Sequence, residues 1–228
     1  MAMEEKISAV RERMAAAAKR AGRSSEQIIL LAVTKTHTRE LVDEALQSGL
    51  TVLGENRVQE AHEKYAGLDT PHELHLIGHL QRNKAKFVPG LFHWVESIDA
   101  AKTARALSQK CDEAGWECEV LLQYNCSGEQ SKSGYESGDA LLAEAGEIAA
   151  LPALHLRGVM TIGPFVEDTD RIRRSFADTR ELFLRLADEM ADEQIDTLSM
   201  GMSDDFEIAI EEGSTMVRVG SALFGARG

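Results

Sequence analysis

Short apolar runs alternate with longer amphipathic stretches along the whole chain. Ile7, Val10, Met14 and Ala18 recur at helical spacing over residues 4–21, and Gly22 can close that helix. Residues 28–33 are fully apolar, the mark of a strand covered on both faces. Thr38 can cap a second helix whose apolar face is Leu41, Val42, Ala45 and Leu46, with Gly49 at its end. The same reading predicts further strands over 50–53, 73–77, 92–95, 119–123, 154–160, 196–199 and 216–219. It predicts helices over 56–65, 81–87, 100–114, 139–150, 169–190 and 204–211. Strands alternating with helices imply a parallel sheet. About eight such units in roughly 200 residues predict a (β/α)8 TIM-type barrel, of class α/β. An open doubly wound sheet is the alternative arrangement. No Pro/Gly/Ser-rich linker interrupts the pattern, so one domain over 1–228 is expected, with the polar stretch 126–138 as a barrel loop.

Composition narrows the partners. The 228 residues are 43% hydrophobic and 28% charged, which suits a globular protein. A net charge of −13 argues against nucleic acid and anionic membrane as partners, and any anionic ligand needs local donors. Cys111, Cys118 and Cys126 are an odd set without a CxxC pair, so neither a disulfide framework nor a zinc site is expected. Reduced thiols fit the cytoplasm. Glu4 and Glu5 near the start do not suit a signal peptide, and no stretch approaches the ~18 apolar residues of a membrane span.

Functional groups of a parallel barrel gather at the C-terminal ends of its strands. Lys35 stands at the end of the first strand, Glu55 and Asn56 after the second, Gly78 and His79 after the third, and Tyr124 and Asn125 after the fifth. Thr161 follows the sixth, residues 199–203 the seventh, and Gly220 and Ser221 the eighth. Two readings of Lys35 stand side by side. Its amine either turns into the barrel mouth, where desolvation favours the neutral nucleophile that forms a Schiff base, or snorkels out to water.

The last two loops suggest an anion site. Ser199, Gly201, Gly220 and Ser221 combine hydroxyls with backbone that an anion can approach closely. Ser203 either joins them or caps the helix that begins with Asp204 and Asp205. Arg218, within the eighth strand, needs a partner: an inward acid such as Glu207 or Glu55, or a ligand nitrogen or phosphate. The seven histidines show no metal-binding spacing, and Arg82, Lys84 and Lys86 read as a solvated helix face.

Several motifs agree, in order, with one known family. They are Val33-Thr34-Lys35-Thr36, Gly54-Glu55-Asn56-Arg57-Val58-Gln59-Glu60 and His75-Leu76-Ile77-Gly78-His79-Leu80-Gln81-Arg82-Asn83-Lys84. Gly158-Val159-Met160-Thr161, the run from Leu198 to Glu207, and the run from Gly213 to Gly220 complete the set. Across nearly its whole length the chain resembles the pyridoxal phosphate homeostasis proteins, which are similar to the barrel domain of fold-type III alanine racemases. The resemblance implies that pyridoxal 5′-phosphate is held as an aldimine on Lys35. It implies that Arg218 faces the pyridine nitrogen, that Asn56 lies close to the cofactor, and that the phosphate lies near Ser199, Ser203 and the backbone of Gly220 and Ser221.

The function so implied is a carrier that buffers pyridoxal phosphate and delivers it to apoenzymes, maintaining vitamin B6 homeostasis. Two features argue against efficient catalysis. An arginine keeps its proton, so the ring stays neutral and is a weak electron sink, although the racemases share this feature. The chain also ends at Gly228, which leaves the expectation that it lacks the racemases' further β domain and the catalytic tyrosine that domain supplies. Of a facing acid and base only Lys35 is evident, with Tyr124 and His79 the other candidates. A monomer is expected on the same ground. The alternative is a pyridoxal phosphate-dependent racemase or lyase. A sugar-phosphate aldolase using Lys35, and a scaffold that tolerates Lys35→Ala, are the remaining readings.

Overall fold

The alternation closes on itself. The computed structural model describes residues 2–129 and 132–225; positions 130 and 131 of the expected 126–138 loop lie outside the described residues. The strands are β1 (Ile29–Val33), β2 (Val52–Glu55), β3 (Glu73–Leu76), β4 (Trp94–Ile98), β5 (Cys118–Tyr124), β6 (Leu154–Thr161), β7 (Thr197–Ser199) and β8 (Met216–Val219). Each pairs in parallel with the next, and β8 returns to β1 with Leu30 opposite Val217 and Ala32 opposite Val219. The open-sheet alternative is therefore excluded.

Helix α1 (Met3–Arg20) precedes the barrel and packs against α7 (Phe206–Glu211) and α8 (Ser221–Phe224). Between the strands run α2 (Arg39–Gln47), α3 (Val58–Tyr65), α4 (Ala101–Ala114), α5 (Gly138–Ala149) and α6 (Thr169–Glu189). The crossover from β3 to β4 is a 3-10 turn, Arg82–Phe87, not the expected helix. It carries the basic cluster, and Lys84 and Lys86 both lie over the Phe87 ring.

Side chains alternate across each strand. Ala32, Leu53, Leu74, Val95, Val120, Val159, Leu198 and Val217 point outward and are fully buried beneath the helices. The inward set is more mixed. Leu31, Val33, Ile77 and Met216 form one apolar cluster inside the barrel, and Trp94, Leu121 and Met160 form another. Between these clusters the interior is polar, because His75, Glu96, Ser199 and Arg218 also point inward. Gly54 leaves room for Leu31: a Cβ there would lie 2.4 Å from Leu31 Cδ2.

Two strands lie further along the chain than expected. The strand read at 50–53 is Val52–Glu55, and the one read at 92–95 is Trp94–Ile98. Both extensions end on or include an acid, Glu55 and Glu96, each with no exposed surface. A buried carboxylate is tolerated only with partners, and those partners come from other elements.

Candidate functional site

The barrel mouth holds a cleft of about 210 Å³. Val33, Ile77, Ile162 and Met202 give it apolar walls, and Lys35, His37, Asn56, Ser203, Asp204, Arg218, Gly220 and Ser221 supply its polar groups. Six of the residues singled out from sequence thus meet at one place: Lys35, Asn56, Ser203, Arg218, Gly220 and Ser221. Ser199 and Gly201 do not line the cleft. Tyr124 and His79 do not line it either, and His79 pairs with Asp99 at 3.1 Å.

Lys35 is held by its neighbours in sequence. Thr36 adopts φ +66°, a left-handed conformation rare for a β-branched residue. Its N–H donates to Glu60 of α3. On the other side, the Thr34 carbonyl accepts from Lys64 Nζ at 2.8 Å. The Thr34 hydroxyl lies 2.7 Å from Glu55 Oε1 and 2.8 Å from the Tyr65 hydroxyl. Lys64 completes the cluster with Glu55 at 2.8 Å and Glu60 at 2.9 Å. Burial pushes the Glu55 carboxyl up, against the hydrogen bonds from Lys64 and Thr34. Glu60 behaves oppositely: its burial is outweighed by Lys64 and the Thr36 N–H, which hold it low. Asn56 follows directly, and its backbone is pressed against Gly78, where a Cβ would lie 2.2 Å from the Asn56 carbonyl oxygen.

Arg218 is also held from behind. Its Nη1 donates to Ser199 Oγ at 2.6 Å and its Nη2 to the Thr161 carbonyl at 2.7 Å. The carbonyl of Gly201 accepts the Arg218 N–H at 3.0 Å. The inward acid is neither Glu207 nor Glu55. Glu207 pairs with Arg13, Glu55 pairs with Lys64, and the carboxylate 4.0 Å from Arg218 belongs to Glu96. Burial lowers the Arg218 guanidinium, and the charges of Glu96 and Asp205 oppose that.

Ser203 does not cap the helix that follows it. Its Oγ accepts from the N–H of Gly220 at 3.2 Å and of Ala222 at 3.3 Å. Two backbone donors at the start of α8 therefore converge on one oxygen, the arrangement a phosphate oxygen requires. The donor set fits pyridoxal phosphate in its other parts too. Lys35, just past the end of β1, and the buried Arg218 line the same cleft, and apolar side chains line it between them. Asp205, which is buried, accepts from the Met202 N–H at 2.6 Å and so fixes this loop.

The sequence reading gave His37 no role and took Asp204 only as an acid at the start of a helix. Positions 33, 35 and 37 all line the cleft, so a two-residue spacing from Lys35 was the available signal for His37, whose ring lies 5.0 Å from that of Phe224. Among the described residues no group of three or more His, Cys, Asp or Glu side chains could hold a metal ion. No helix among them is long and apolar enough to cross a membrane.

Residues 6–228 match the family model of the alanine racemase N-terminal domain. The chain is 45% identical over 225 residues to the pyridoxal phosphate homeostasis protein of Pseudomonas aeruginosa, covering 98% of this chain and 95% of that one. It is 41% identical over 230 residues to the protein of the same name from Pasteurella multocida, covering 100% and 98%. Among solved structures it resembles PipY of Synechococcus elongatus, at 32% identity over 98% of this chain and all of that one. The TM-score is 0.89 to PipY without pyridoxal phosphate and 0.85 to PipY with it bound. This chain is a member of the pyridoxal phosphate homeostasis protein family, built on the alanine racemase N-terminal domain.

Proposed function

We propose that this protein binds pyridoxal 5′-phosphate covalently through Lys35 and maintains its supply by buffering and delivering it to apoenzymes in the cytoplasm. One observation carries the reading. Lys35, Arg218 and the donors of Ser203, Gly220 and Ser221 converge on a single cleft, in a chain whose relative PipY has been solved with pyridoxal phosphate bound. When bound, the cofactor supplies an aldehyde for the amine and an electron-accepting ring.

The protein's own residues do the rest. Lys35 would hold the cofactor through its amine, which can condense with the aldehyde with loss of one water. The hold of Lys64 and Glu60 on Thr34 and Thr36 keeps that amine aimed at the cleft. Arg218 offers a fixed positive charge to the ring nitrogen and keeps its own proton. The hydroxyls of Ser203 and Ser221 and the N–H groups of Gly220 and Ser221 would take the phosphate, with Asn56 in the same cleft to hold the rest of the cofactor. Ser199 and Gly201 act one step back, by holding Arg218. Asp204, exposed at the same mouth, repels the phosphate and so favours release over permanent capture.

The test is the visible spectrum of the purified protein mixed with pyridoxal phosphate, before and after borohydride, beside Lys35→Ala. A coloured wild type that borohydride bleaches, with the added mass mapped to Lys35 and a colourless variant, supports the reading. A wild type that stays colourless refutes it. Turnover of any amino acid at ordinary enzyme rates by the loaded protein would replace the carrier with a racemase or lyase.

A further inference from the structure

A line of buried polar side chains crosses the barrel from its base to the cleft. Glu73 opens β3 and is partly exposed. Its Oε1 lies 3.0 Å from His75 Nε2, and His75 Nδ1 lies 2.7 Å from Glu96 Oε1. The other Glu96 oxygen accepts from Ser199 Oγ at 2.6 Å, and Ser199 in turn accepts from Arg218. The Glu96–Ser199 bond joins β4 to β7, strands that are not neighbours, so it passes through the interior itself. His75 and Glu96 have no exposed surface, and His75 is stacked on Trp94 with ring centroids 5.1 Å apart.

The cluster is ordered in charge. Burial alone would neutralise both His75 and Glu96. The two carboxylates overcome it at His75 and raise that ring's proton affinity. At Glu96, burial is outweighed by His75, Arg218 and the Ser199 hydroxyl, which hold the carboxyl below the usual carboxylate range. Further charged groups around the line, among the described residues, are Arg157 of β6, over the Trp94 ring and paired with Glu119 of β5 and with Asp196 before β7, and Asp205 beside Arg218. His93, before β4, is held low by its own burial. With both ring nitrogens of His75 protonated the signs alternate from Glu73 to Arg218, and a proton at His75 changes the charge that Arg218 sees through two hydrogen-bonded side chains.

We propose that Glu96 and His75 are positioning residues for the cofactor. Glu96, through Ser199, fixes Arg218 as the positive group at the ring, and His75 sets how much of the Glu96 charge is left to balance it. The proposal rests on the cofactor reading above. It adds that the electronic state of the bound ring is set from the base of the barrel, by residues that touch no ligand.

The experiment uses full-length protein loaded with pyridoxal phosphate and follows the pH at which the Lys35 linkage changes colour. Glu96→Gln removes a negative charge from the interior and disfavours the protonated, positive linkage, so its colour change should move down by about half to one pH unit. His75→Gln removes the ring that carries the proton between the two carboxylates, and its colour change should move up. Opposite shifts cannot come from loosened packing alone. Where either variant fails to fold, the wild type carries the test. By reciprocity, binding of pyridoxal phosphate must perturb the His75 ring nitrogens in nitrogen-15 NMR spectra. Variants that titrate like the wild type, shifts of one sign, or a His75 resonance indifferent to binding would overturn the proposal while leaving Lys35 attachment standing. A wild type that takes up no pyridoxal phosphate would overturn the cofactor reading first.

Discussion

Lys64→Met is the sharpest perturbation of the Lys35 support. Lys64 is 6% exposed and its three contacts are to Thr34, Glu55 and Glu60. Methionine keeps most of the volume and removes the charge. Glu55, with no exposed surface and its Oε2 without a hydrogen-bond partner, is then buried without a cation. Removing one partner of a buried pair costs about 3–5 kcal/mol. For a chain of this size that is a fall in Tm of roughly 6–20 °C. The pH dependence has a definite sign. Glu55 has a raised pKa in the folded protein and Lys64→Met raises it further, so below its unfolded pKa of about 4.3 the group is protonated in both states and adds no penalty. As pH rises through the folded pKa, the unfolded chain ionises more readily and stability falls. Glu60 adds to this, because its depressed pKa stabilises the wild type only above the carboxylate range, and the variant loses much of that support. The deficit must therefore grow from acid to neutral pH. Thermal unfolding of wild type and variant at several pH values measures it. A second change, Glu55→Gln, should restore part of the loss, since the amide keeps a bond to Thr34 without a charge to bury. A Tm fall below about 2 °C at neutral pH, or a deficit independent of pH, would refute the reasoning.

Three further outcomes are expected. Gly78→Ala drives a Cβ to 2.2 Å from the Asn56 carbonyl oxygen, backbone that cannot swing aside. It should cost about 1–3 kcal/mol of stability by denaturant melting and weaken cofactor binding. Ser203→Ala removes the oxygen that Gly220 and Ala222 share. It should weaken pyridoxal phosphate binding by about tenfold, the value of one charge-assisted hydrogen bond, and affect pyridoxal without phosphate far less, as equilibrium dialysis would read. Asp204→Asn removes a carboxylate from the mouth of the cleft and should slow cofactor release to an apoenzyme, measured by loss of the protein's colour.

The outer shell of the barrel was open to sequence reading because it is written in apolar side chains. Runs such as 28–33 and the helix faces declare themselves by hydrophobic spacing alone. The strand ends that carry Glu55 and Glu96 did not. A carboxylate inside a strand reads as the strand's end unless its partner is known, and the partners are Lys64, nine positions on, and Ser199, across the barrel. Likewise the expected helix over 81–87 is a 3-10 turn, since a single short crossover has too few residues for its period to be read. At the site, a lysine at a strand end picked out Lys35, and a charge inside a strand that needs a partner picked out Arg218. The acid facing Arg218 was not found, because Glu55, Glu96 and Glu207 are equivalent in sequence and only barrel closure decides among them.

Lys35 and Arg218 share one construction principle. Each presents a cation-forming group to the cleft, and each is fixed from the far side by an acid that never reaches the ligand: Glu60 behind the Thr36 N–H, and Glu96 behind Ser199. Such support holds both groups in place before any ligand arrives, so little ordering entropy remains to be lost on binding. Neither acid lines the cleft: Glu96 is fully buried in the interior, and Glu60, about a quarter exposed, lies on α3 with Lys64 against it. In a chain of net charge −13, that separation lets an anionic ligand meet the amine, the guanidinium and the backbone donors first. On the carrier reading proposed above, the exposed acid at the mouth, Asp204, would then act against a ligand already held, the balance a protein needs if it is to give the cofactor up again.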